Sequence, residues 1–327
     1  MPSPIIYVTR RIPDSALSLL HTCGTLALWE PDEVIPREVL LQHVPGVEAL
    51  LCMVTERIDE ELLNHAPRLR IVANMAVGYD NVDIPALTRR RVVLTNTPGV
   101  LTETTADLTF ALLLSIARRT SEGERIVRAG LWRSWSPFSF LGHDVHHMTL
   151  GILGLGRIGT EVAKRAKGFD MRILYTNRSR NREAEERFGC VPVDLTTLLR
   201  ESDFFSVHVP LTPDTRRMLS MPQFKQMKPT AFLVNVARGA IVDPQALYMA
   251  LRDGILAGAA LDVTDPEPIP VDDPLLTLDN CLIVPHIGSA SITTRTRMAT
   301  LAAENIAAYL SGRRPPTPVN PEVLEQQ

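Results

Sequence analysis

Apolar and polar positions follow two different periods along the first part of the chain. Five short apolar runs are separated by longer stretches in which apolar residues recur on one helical face. The runs are 5–9, 26–29, 49–52, 71–73 and 92–94. This alternation of strand-like and helix-like segments predicts parallel α/β structure. Pro13 and Asp14 can open the first helix, and Asp83 can cap the helix that follows it.

A second α/β series follows a turn-rich stretch at 95–99, which reads Thr-Asn-Thr-Pro-Gly. An apolar helix is expected from about 104 to 118. Six strand-like runs come next, at 150–153, 173–175, 204–207, 232–235, 258–262 and 281–284. Six strands with intervening helices are the content of a doubly wound nucleotide-binding domain. A last helix at 293–310 must end before the prolines at 315 and 316.

Length and composition narrow the class of protein. A chain of 327 residues exceeds what one hydrophobic core usually supports, so two domains are expected. A net charge of -3 and a pI near 6.3 argue against a nucleic-acid partner. The longest apolar stretch, 108–117, is too short to cross a membrane, and the N-terminal residues lack signal-peptide features. A cytoplasmic protein is therefore expected.

Metal and redox chemistry are not expected. The four cysteines lie far apart and include no C-x-x-C pair, which argues against a zinc site and against a redox motif. His143, His146 and His147 lie in a connecting segment without carboxylate support, so they predict no metal site. His208 ends a strand between two valines and is interpreted as a hydrogen-bonded core residue.

A glycine-rich turn follows the first strand of the second series. Residues 151–159 read GILGLGRIG and are followed by a helix from about 160 to 167. Gly154 permits the tight turn, Gly156 lets a pyrophosphate approach the backbone, and Gly159 allows the helix to pack closely on the strand. Strand, glycines and helix agree, so the sequence predicts dinucleotide binding, with Leu155, Arg157 and Ile158 completing the turn.

The end of the next strand indicates which dinucleotide is bound. In an NAD site, an acidic residue about 20 positions beyond the glycines binds the ribose 2'-hydroxyl. Here the sequence has Asn177, Arg178 and Ser179 instead, which offer donors and a positive charge to a 2'-phosphate. The sequence therefore predicts NADP(H) as the cofactor, and use of NAD(H) as well stays open. The alternative is a solvated basic loop that contacts nothing.

Three polar side chains follow three further strands. Arg238, Glu267 and His286 each come shortly after a predicted strand, where ligands bind in open parallel sheets. Reduction of a 2-oxo acid needs a cation for the carboxylate, an acid for the developing alkoxide and a carboxylate that keeps the acid charged. Arg238 suits the first role, His286 the second and Glu267 the third. We therefore expect these three side chains to converge as catalytic residues.

Taken together, these motifs resemble the D-isomer-specific 2-hydroxyacid dehydrogenase family, and within it the glyoxylate/hydroxypyruvate reductases. The resemblance runs from VTRRIP at 8–13 to PHIGSA at 285–290. It implies two Rossmann-like or flavodoxin-like parallel-sheet domains. A substrate domain made of 1–99 and 290–327 would surround a coenzyme domain made of 100–289. It also implies reduction of glyoxylate to glycolate or of hydroxypyruvate to D-glycerate, with His286 as general acid.

The resemblance also implies further binding residues. Backbone amides of Val77 and Gly78 would receive the substrate carboxylate, and Met53 and Ser289 would border the substrate. Thr105 would lie near the nicotinamide and Asp262 near its carboxamide. The predicted cofactor contacts also include Val209, Pro210, Val236, Ala237, Arg238, His286 and Gly288. Ser291 departs from the family pattern, because relatives often have histidine there, which leaves the fine specificity open.

Trp135, in the segment LWRSW at 131–135, matches a tryptophan that such reductases place in the substrate pocket of the partner subunit. This match implies a homodimer. The alternative is that Trp135 is buried within its own subunit.

Two other functions stay open at the level of sequence. The same chemistry could act on 2-ketogluconate or another longer 2-oxo acid, since the sequence does not give the pocket volume. A dinucleotide-sensing protein, similar to corepressors with this scaffold, belongs to a different class. It is less favoured because the three reactive residues are retained.

Overall fold

A computed structural model describes residues 3–326 of the chain. Two compact units are present, one made of Met1–Leu101 with Ala290–Gln327 and the other of Thr102–Ser289. Each unit is built on one parallel β-sheet. The predicted fold class, two parallel-sheet α/β domains, is confirmed. No helix in residues 3–326 is long and apolar enough to cross a bilayer.

The first unit is a five-stranded sheet with helices on both faces. Its strands lie in the order β2-β1-β3-β4-β5, which is a flavodoxin-like order. The elements are β1 (Ile5–Val8), α1 (Asp14–His21), β2 (Thr25–Leu28), α2 (Arg37–His43), β3 (Ala49–Cys52), α3 (Glu60–His65), β4 (Ile71–Asn74), α4 (Ile84–Arg89) and β5 (Val93–Thr95). Asp14 lies in the first turn of α1, and Asp83 caps α4 by accepting from the amide of Ala86, as the sequence indicates.

The second unit contains a seven-stranded parallel sheet. Its elements are α5 (Thr102–Ala117), α6 (Thr120–Arg128), β6 (Thr149–Leu153), α7 (Arg157–Ala166), β7 (Arg172–Thr176), α8 (Arg182–Phe188), β8 (Val191–Pro192), α9 (Leu195–Glu201), β9 (Phe204–Val207), α10 (Met221–Phe224), β10 (Phe232–Asn235), α11 (Pro244–Arg252), β11 (Gly258–Leu261) and β12 (Cys281–Ile283). The strand order is β12-β11-β10-β9-β6-β7-β8. The order reverses between β6 and β9, which is where ligands bind in doubly wound sheets.

The sequence predicts six strands in this unit, and the structure has a seventh. β8 consists of only Val191 and Pro192, both exposed, and it pairs with β7 at the sheet edge. A two-residue exposed strand has no apolar period that a sequence pattern could reveal. The apolar helix α5 is buried between the sheet and α7, because it packs against both β10 and β11.

The last helix, α12 (Ile292–Leu310), packs against α1 and β4 of the first unit. The residues after it close the edge of that sheet at β5. The amide of Val319 donates to the carbonyl of Leu94, and the buried side chain of Asn320 accepts from the amide of Leu94. The polar groups of the edge strand are therefore paired rather than exposed to another chain.

Candidate active site

The glycine turn after β6 is shaped by close backbone contacts. Gly154 has a φ of +98°, and a Cβ atom there would lie 2.8 Å from the amide nitrogen of Val209. A Cβ atom at Gly159 would lie 2.3 Å from the carbonyl oxygen of Gly154. Real Cβ atoms do not approach this closely, so both positions require glycine.

The third glycine faces open space. A Cβ atom at Gly156 would meet nothing within 4 Å, and no side chain caps the helix α7 that begins after it. The first amides of α7 therefore point outward with no side-chain cap, together with the positive end of the helix dipole. Leu155 is buried beneath this turn, whereas Arg157 is exposed. The turn fits the pyrophosphate of a dinucleotide.

The loop after β7 presents the predicted 2'-phosphate donors at the surface. Asn177, Arg178 and Ser179 are all exposed, and no ion pair within residues 3–326 involves Arg178. Arg180 is different because its guanidinium pairs with Glu185. Hydrogen bonds from Arg180 and Tyr175 lower the pKa of Glu185 to about 2. Of these two arginines, Arg178 is therefore the one available to a ligand.

Histidine and carboxylate meet at the carboxyl end of the sheet, as the sequence predicts. His286 Nδ1 donates to Glu267 Oε1 at 2.5 Å, and both side chains are partly exposed. Burial alone would raise the pKa of Glu267, but the hydrogen bond and charge of His286 and the charge of Arg238 lower it below its usual value. Glu267 is therefore ionised near neutral pH, and its carboxylate accepts the hydrogen bond from His286 Nδ1.

The turn that carries His286 is held by the carboxylate and the backbone carbonyl of one buried residue, Asp262. His286 has a φ of +50°, a conformation that costs a residue other than glycine about 1 kcal/mol or more. Asp262 accepts from the amides of Ile287 at 2.6 Å and Gly288 at 2.8 Å, and its carbonyl accepts from the amide of His286. These three bonds compensate for the strained backbone and fix the direction of the imidazole.

Thr105 lies beside the same carboxylate. A Cβ atom at Gly288 would approach Asp262 Oδ2 to 2.9 Å and Thr105 Cγ2 to 3.4 Å, so only glycine fits between them. Burial raises the pKa of Asp262, although the hydrogen bonds from the two amides act in the opposite direction and lower it. The sequence predicts that Asp262 contacts the cofactor. The role of Asp262 in holding the His286 turn could not be predicted, because a hydrogen bond to an amide 25 residues away leaves no sequence signal.

The Arg238 loop lies against the loop of Glu267. Asn235 accepts from the amide of Ala237 and donates to the carbonyl of Arg238, which closes the turn after β10. A Cβ atom at Gly239 would lie 2.0 Å from the carbonyl carbon and oxygen of Thr264. This contact brings the Arg238 loop to the segment that carries Glu267. The structure therefore brings together the three predicted catalytic side chains in one unit.

The remaining predicted cofactor residues of this unit lie where the strand order reverses or on the next strand. Val209 and Pro210 follow β9, and Val236 and Ala237 follow β10. Ile158 is half buried in the first turn of α7. Ser289 ends the second unit, and Ser291 caps α12 through the amide of Thr294.

Met53, Val77 and Gly78 lie in the first unit, directly after two neighbouring strands. Met53 follows β3, whereas Val77 and Gly78 belong to the turn after β4. Since β3 and β4 are paired in parallel, these residues share one edge of the sheet. All three are partly exposed, as residues that contact a ligand must be.

His208 differs in part from its prediction. Its Nε2 is 2.7 Å from Ser206 Oγ, so this nitrogen is paired as expected. Its buried Nδ1 has no hydrogen-bond partner among residues 3–326, so only one of the two ring nitrogens is paired as the prediction of a hydrogen-bonded core residue requires. Burial lowers the pKa of His208 to about 3, which leaves the ring neutral. The backbone of His208 closely approaches Gly154.

Trp135 is not buried within its own subunit. Its side chain is 80% exposed, so that alternative is wrong. Trp132, Phe138 and Leu141 are also exposed, and none of the residues of the preceding helix α6 is buried. Residues 120–141, the α6 segment, thus expose several apolar side chains among charged ones.

Comparison with known proteins places this geometry in a family. The sequence pattern of the D-isomer specific 2-hydroxyacid dehydrogenase, NAD binding domain, matches residues 110–288. A glyoxylate reductase of Korarchaeum cryptofilum is 50% identical over 98% of this chain and 97% of its own length. A glyoxylate reductase of Thermococcus litoralis is 49% identical over 98% of both chains.

Solved structures agree with the sequence comparison. A crystal structure of a protein from Thermus thermophilus has a TM-score of 0.91 and 47% identity, covering 96% of this chain and 99% of that one. An NADPH-dependent glyoxylate/hydroxypyruvate reductase from Sinorhizobium meliloti, in complex with NADP and malonate, has a TM-score of 0.82 and 33% identity over 97% of both chains. From the match in sequence and fold, this chain belongs to the D-isomer-specific 2-hydroxyacid dehydrogenase family.

Proposed function

We propose that this protein reduces a small 2-oxo acid with NADPH, with glyoxylate and hydroxypyruvate as the first candidates. The observation that carries this proposal is the 2.5 Å hydrogen bond between His286 Nδ1 and Glu267 Oε1, beside the Arg238 loop. Relatives of nearly the same length named glyoxylate reductase support the substrate class.

His286 acts as the general acid. Because Nδ1 is held by Glu267, the proton to be transferred is on Nε2, the nitrogen on the other side of the ring. The Asp262 bonds fix the turn, so the ring keeps one orientation when the substrate binds. During reduction the proton moves from Nε2 to the carbonyl oxygen as a hydroxyl forms. In the reverse direction the neutral ring accepts that proton.

Arg238 binds the substrate carboxylate. A guanidinium matches a carboxylate with two parallel hydrogen bonds, and the Asn235 turn fixes the backbone from which this side chain extends. The amides of Val77 and Gly78 complete the carboxylate site. The rest of the substrate is bordered by Met53 and Ser289 of the same subunit and by Trp135 of a partner subunit.

Bound NADPH supplies the hydride for the carbonyl carbon. The residues that would hold it are the glycine turn at 154–159, Thr105, Asp262 and the residues after β9 and β10. Arg178, with Asn177 and Ser179, binds the 2'-phosphate, since this guanidinium is exposed and forms no ion pair with residues 3–326. In place of an acidic residue that would repel the phosphate, this loop has Asn177 and Arg178.

The protein acts as a homodimer in this proposal. The α6 segment exposes Trp135 at 80%, Phe138 at 82% and Trp132 at 62%. Exposed aromatic side chains in one continuous segment are typical of a protein interface. A second copy of the chain would cover them, and Trp135 would then reach the partner's substrate site.

The direct test is a set of initial rates with NADPH and NADH against glyoxylate, hydroxypyruvate and 2-ketogluconate. We expect the highest kcat/KM with NADPH and one of the two smaller acids. A higher kcat/KM for 2-ketogluconate would make this longer acid the substrate in place of the two smaller ones. Tight NADPH binding without turnover of any acid would favour the sensing protein.

Replacing His286 by asparagine should lower kcat for glyoxylate about 10²- to 10⁴-fold, because the reaction loses its proton donor. The Kd for NADPH, measured by nucleotide fluorescence, should stay unchanged. His21→Asn changes an exposed histidine of the first unit and serves as the control. Turnover of H286N equal to that of H21N would contradict the proposed role.

Replacing Glu267 by glutamine should lower kcat for glyoxylate about tenfold or more, because the charge-assisted hydrogen bond that orients the His286 ring through Nδ1 becomes a weaker neutral one. The Kd for NADPH should stay unchanged. Glu186→Gln, at an exposed glutamate, should leave kcat in place. A kcat of E267Q equal to that of E186Q would exclude a role of the pair in turnover.

Replacing Arg178 by glutamate should raise the KM for NADPH about tenfold or more, since a charge-assisted bond to the 2'-phosphate is replaced by repulsion. The KM for NADH should change little, because NADH lacks this phosphate. Arg200→Glu, at an exposed position of α9, is matched in charge and should affect neither value. An equal rise of the KM for NADPH and for NADH in R178E would argue that Arg178 does not bind the 2'-phosphate.

Replacing Trp135 by alanine should raise the KM for hydroxypyruvate about fivefold or more, since an aromatic contact to the substrate is lost. Light scattering on the wild-type protein should give the mass of a dimer. Val271→Ala, at a side chain that is 97% exposed outside the α6 segment, is the control. A wild-type protein that stays monomeric at assay concentration would rule out the partner's contribution.

A further inference from the structure

Two loops at the carboxyl edge of the first sheet lie side by side. The β3 loop comprises residues 53–56 and the β4 loop residues 75–78, and the strands before them are paired in parallel. The β4 loop carries the two amides proposed to receive the substrate carboxylate. Loop backbones of this kind are mobile unless other groups hold them.

The β4 loop is held from three directions by donors to its carbonyls. The amide of Thr97 donates to the carbonyl of Ala76 at 2.8 Å. Asn96 Nδ2 donates to the carbonyl of Val77 at 2.9 Å, and Asn74 Nδ2 donates to the carbonyl of Gly78 at 2.9 Å. Three consecutive carbonyls are thus occupied.

These contacts determine where the amides of the loop point. A peptide unit is planar and trans, so its N–H is directed opposite to its C=O. The carbonyl of Ala76 belongs to the same peptide unit as the amide of Val77, and the carbonyl of Val77 to the same unit as the amide of Gly78. The bonds from Thr97 and Asn96 therefore orient both amides that the carboxylate site requires.

The two asparagines are placed for this task by the sheet. Asn74 ends β4 and is fully buried, whereas Asn96 directly follows β5 and is 9% exposed. The backbone of Asn96 is held independently, because its amide donates to the carbonyl of Thr317 and its carbonyl accepts from Thr317 Oγ1. The edge of the sheet is closed by the backbone of Asn96, so its side-chain amide can donate to the β4 loop.

A third asparagine, Asn81, links the β4 loop to the β3 loop through hydrogen bonds. Asn74 Nδ2 is 3.5 Å from Asn81 Oδ1. Asn81 Nδ2 in turn donates to the carbonyls of Met53 and Glu56, at 3.2 and 2.8 Å. The buried carboxylate of Glu56 accepts from the amide of Met53 at 2.7 Å. The position of Met53 is therefore fixed by the same network.

We infer that Asn96 and Asn74 are positioning residues for substrate binding, because they hold the carbonyls of Val77 and Gly78 and so direct the peptide amides of the β4 loop toward the substrate carboxylate. This inference rests on the proposed function. It assigns to the two asparagines a role in affinity for the acid, separate from the cofactor and from the proton transfer at His286.

Two substitutions of Asn96 test the role. Asn96→Ala removes the donor, and Asn96→Asp keeps the shape but sets an oxygen against the carbonyl of Val77. Each should raise the KM for glyoxylate about tenfold and leave kcat within about threefold, since the amides bind ground state and transition state alike. The KM for NADPH should not change. Asn64→Asp, an exposed asparagine of the same unit, is the control for added charge.

Binding of oxalate to the NADPH-loaded protein, followed by calorimetry, gives a readout that needs no turnover. The Kd for oxalate should rise in parallel with the KM in N96A and N96D. An increase in N96D alone would mean that charge rather than orientation matters, and unchanged values in both variants would overturn the inference.

Asn74→Ala tests the inference independently if the Asn96 variants do not fold. It removes only the bond to the carbonyl of Gly78 and the contacts of the same side chain to Asn81 and Cys52, so the same rise in the oxalate Kd is expected. A loss of thermal stability without any change in the oxalate Kd would assign Asn74 a structural role only. Wild-type protein that binds oxalate but reduces no acid would refute the proposed function and leave this test intact.

Discussion

A buried carboxylate that accepts two backbone amides fixes the geometry on which the proposed chemistry depends. Asp262 receives the amides of Ile287 and Gly288, and its carbonyl receives the amide of His286. With these bonds His286 stays at a positive φ and its Nδ1 reaches Glu267. Without them the imidazole would have no fixed direction, since its backbone conformation is unfavourable by itself. The proton donor is therefore positioned by a residue that need not take part in the proton transfer.

Close contacts at glycine support the same arrangement in the coenzyme-binding unit. Gly239 brings the Arg238 loop against Thr264, and Gly288 fits between Asp262 and Thr105. The glycines at 154 and 159 let the turn after β6 lie against its neighbours. At each position a methyl group would overlap with another atom. The loops at this edge of the sheet are thus packed closely enough that side chains from three strands meet.

Each of the two units uses side chains to hold backbone groups that the proposed function requires. In one unit Asp262 holds amides, and in the other Asn96 and Asn74 hold carbonyls. A carboxylate can only accept, whereas the side-chain amide of asparagine donates through Nδ2, which matches each residue to the group that it holds. The reacting and binding groups are then preorganised on loops that follow strands of a rigid sheet.

The alternation of strands and helices, the glycine turn and the placement of Arg238, Glu267 and His286 after successive strands all follow from the amino-acid order. These features depend on local periods and on short spacings, which a single chain displays directly. The same reasoning located α5 and α12 to within a few residues. It could not find β8, whose two exposed residues have no apolar period, or foresee that α6 has no buried face. Contacts between groups distant in the chain, such as Asp262 with Gly288 and Asn96 with the β4 loop, became visible only in the folded molecule. A hydrogen bond has a range of about 3 Å and a required direction, so residue types and spacings alone do not specify it. The folded sheet brings these groups within that range, because its parallel strands end at a common edge.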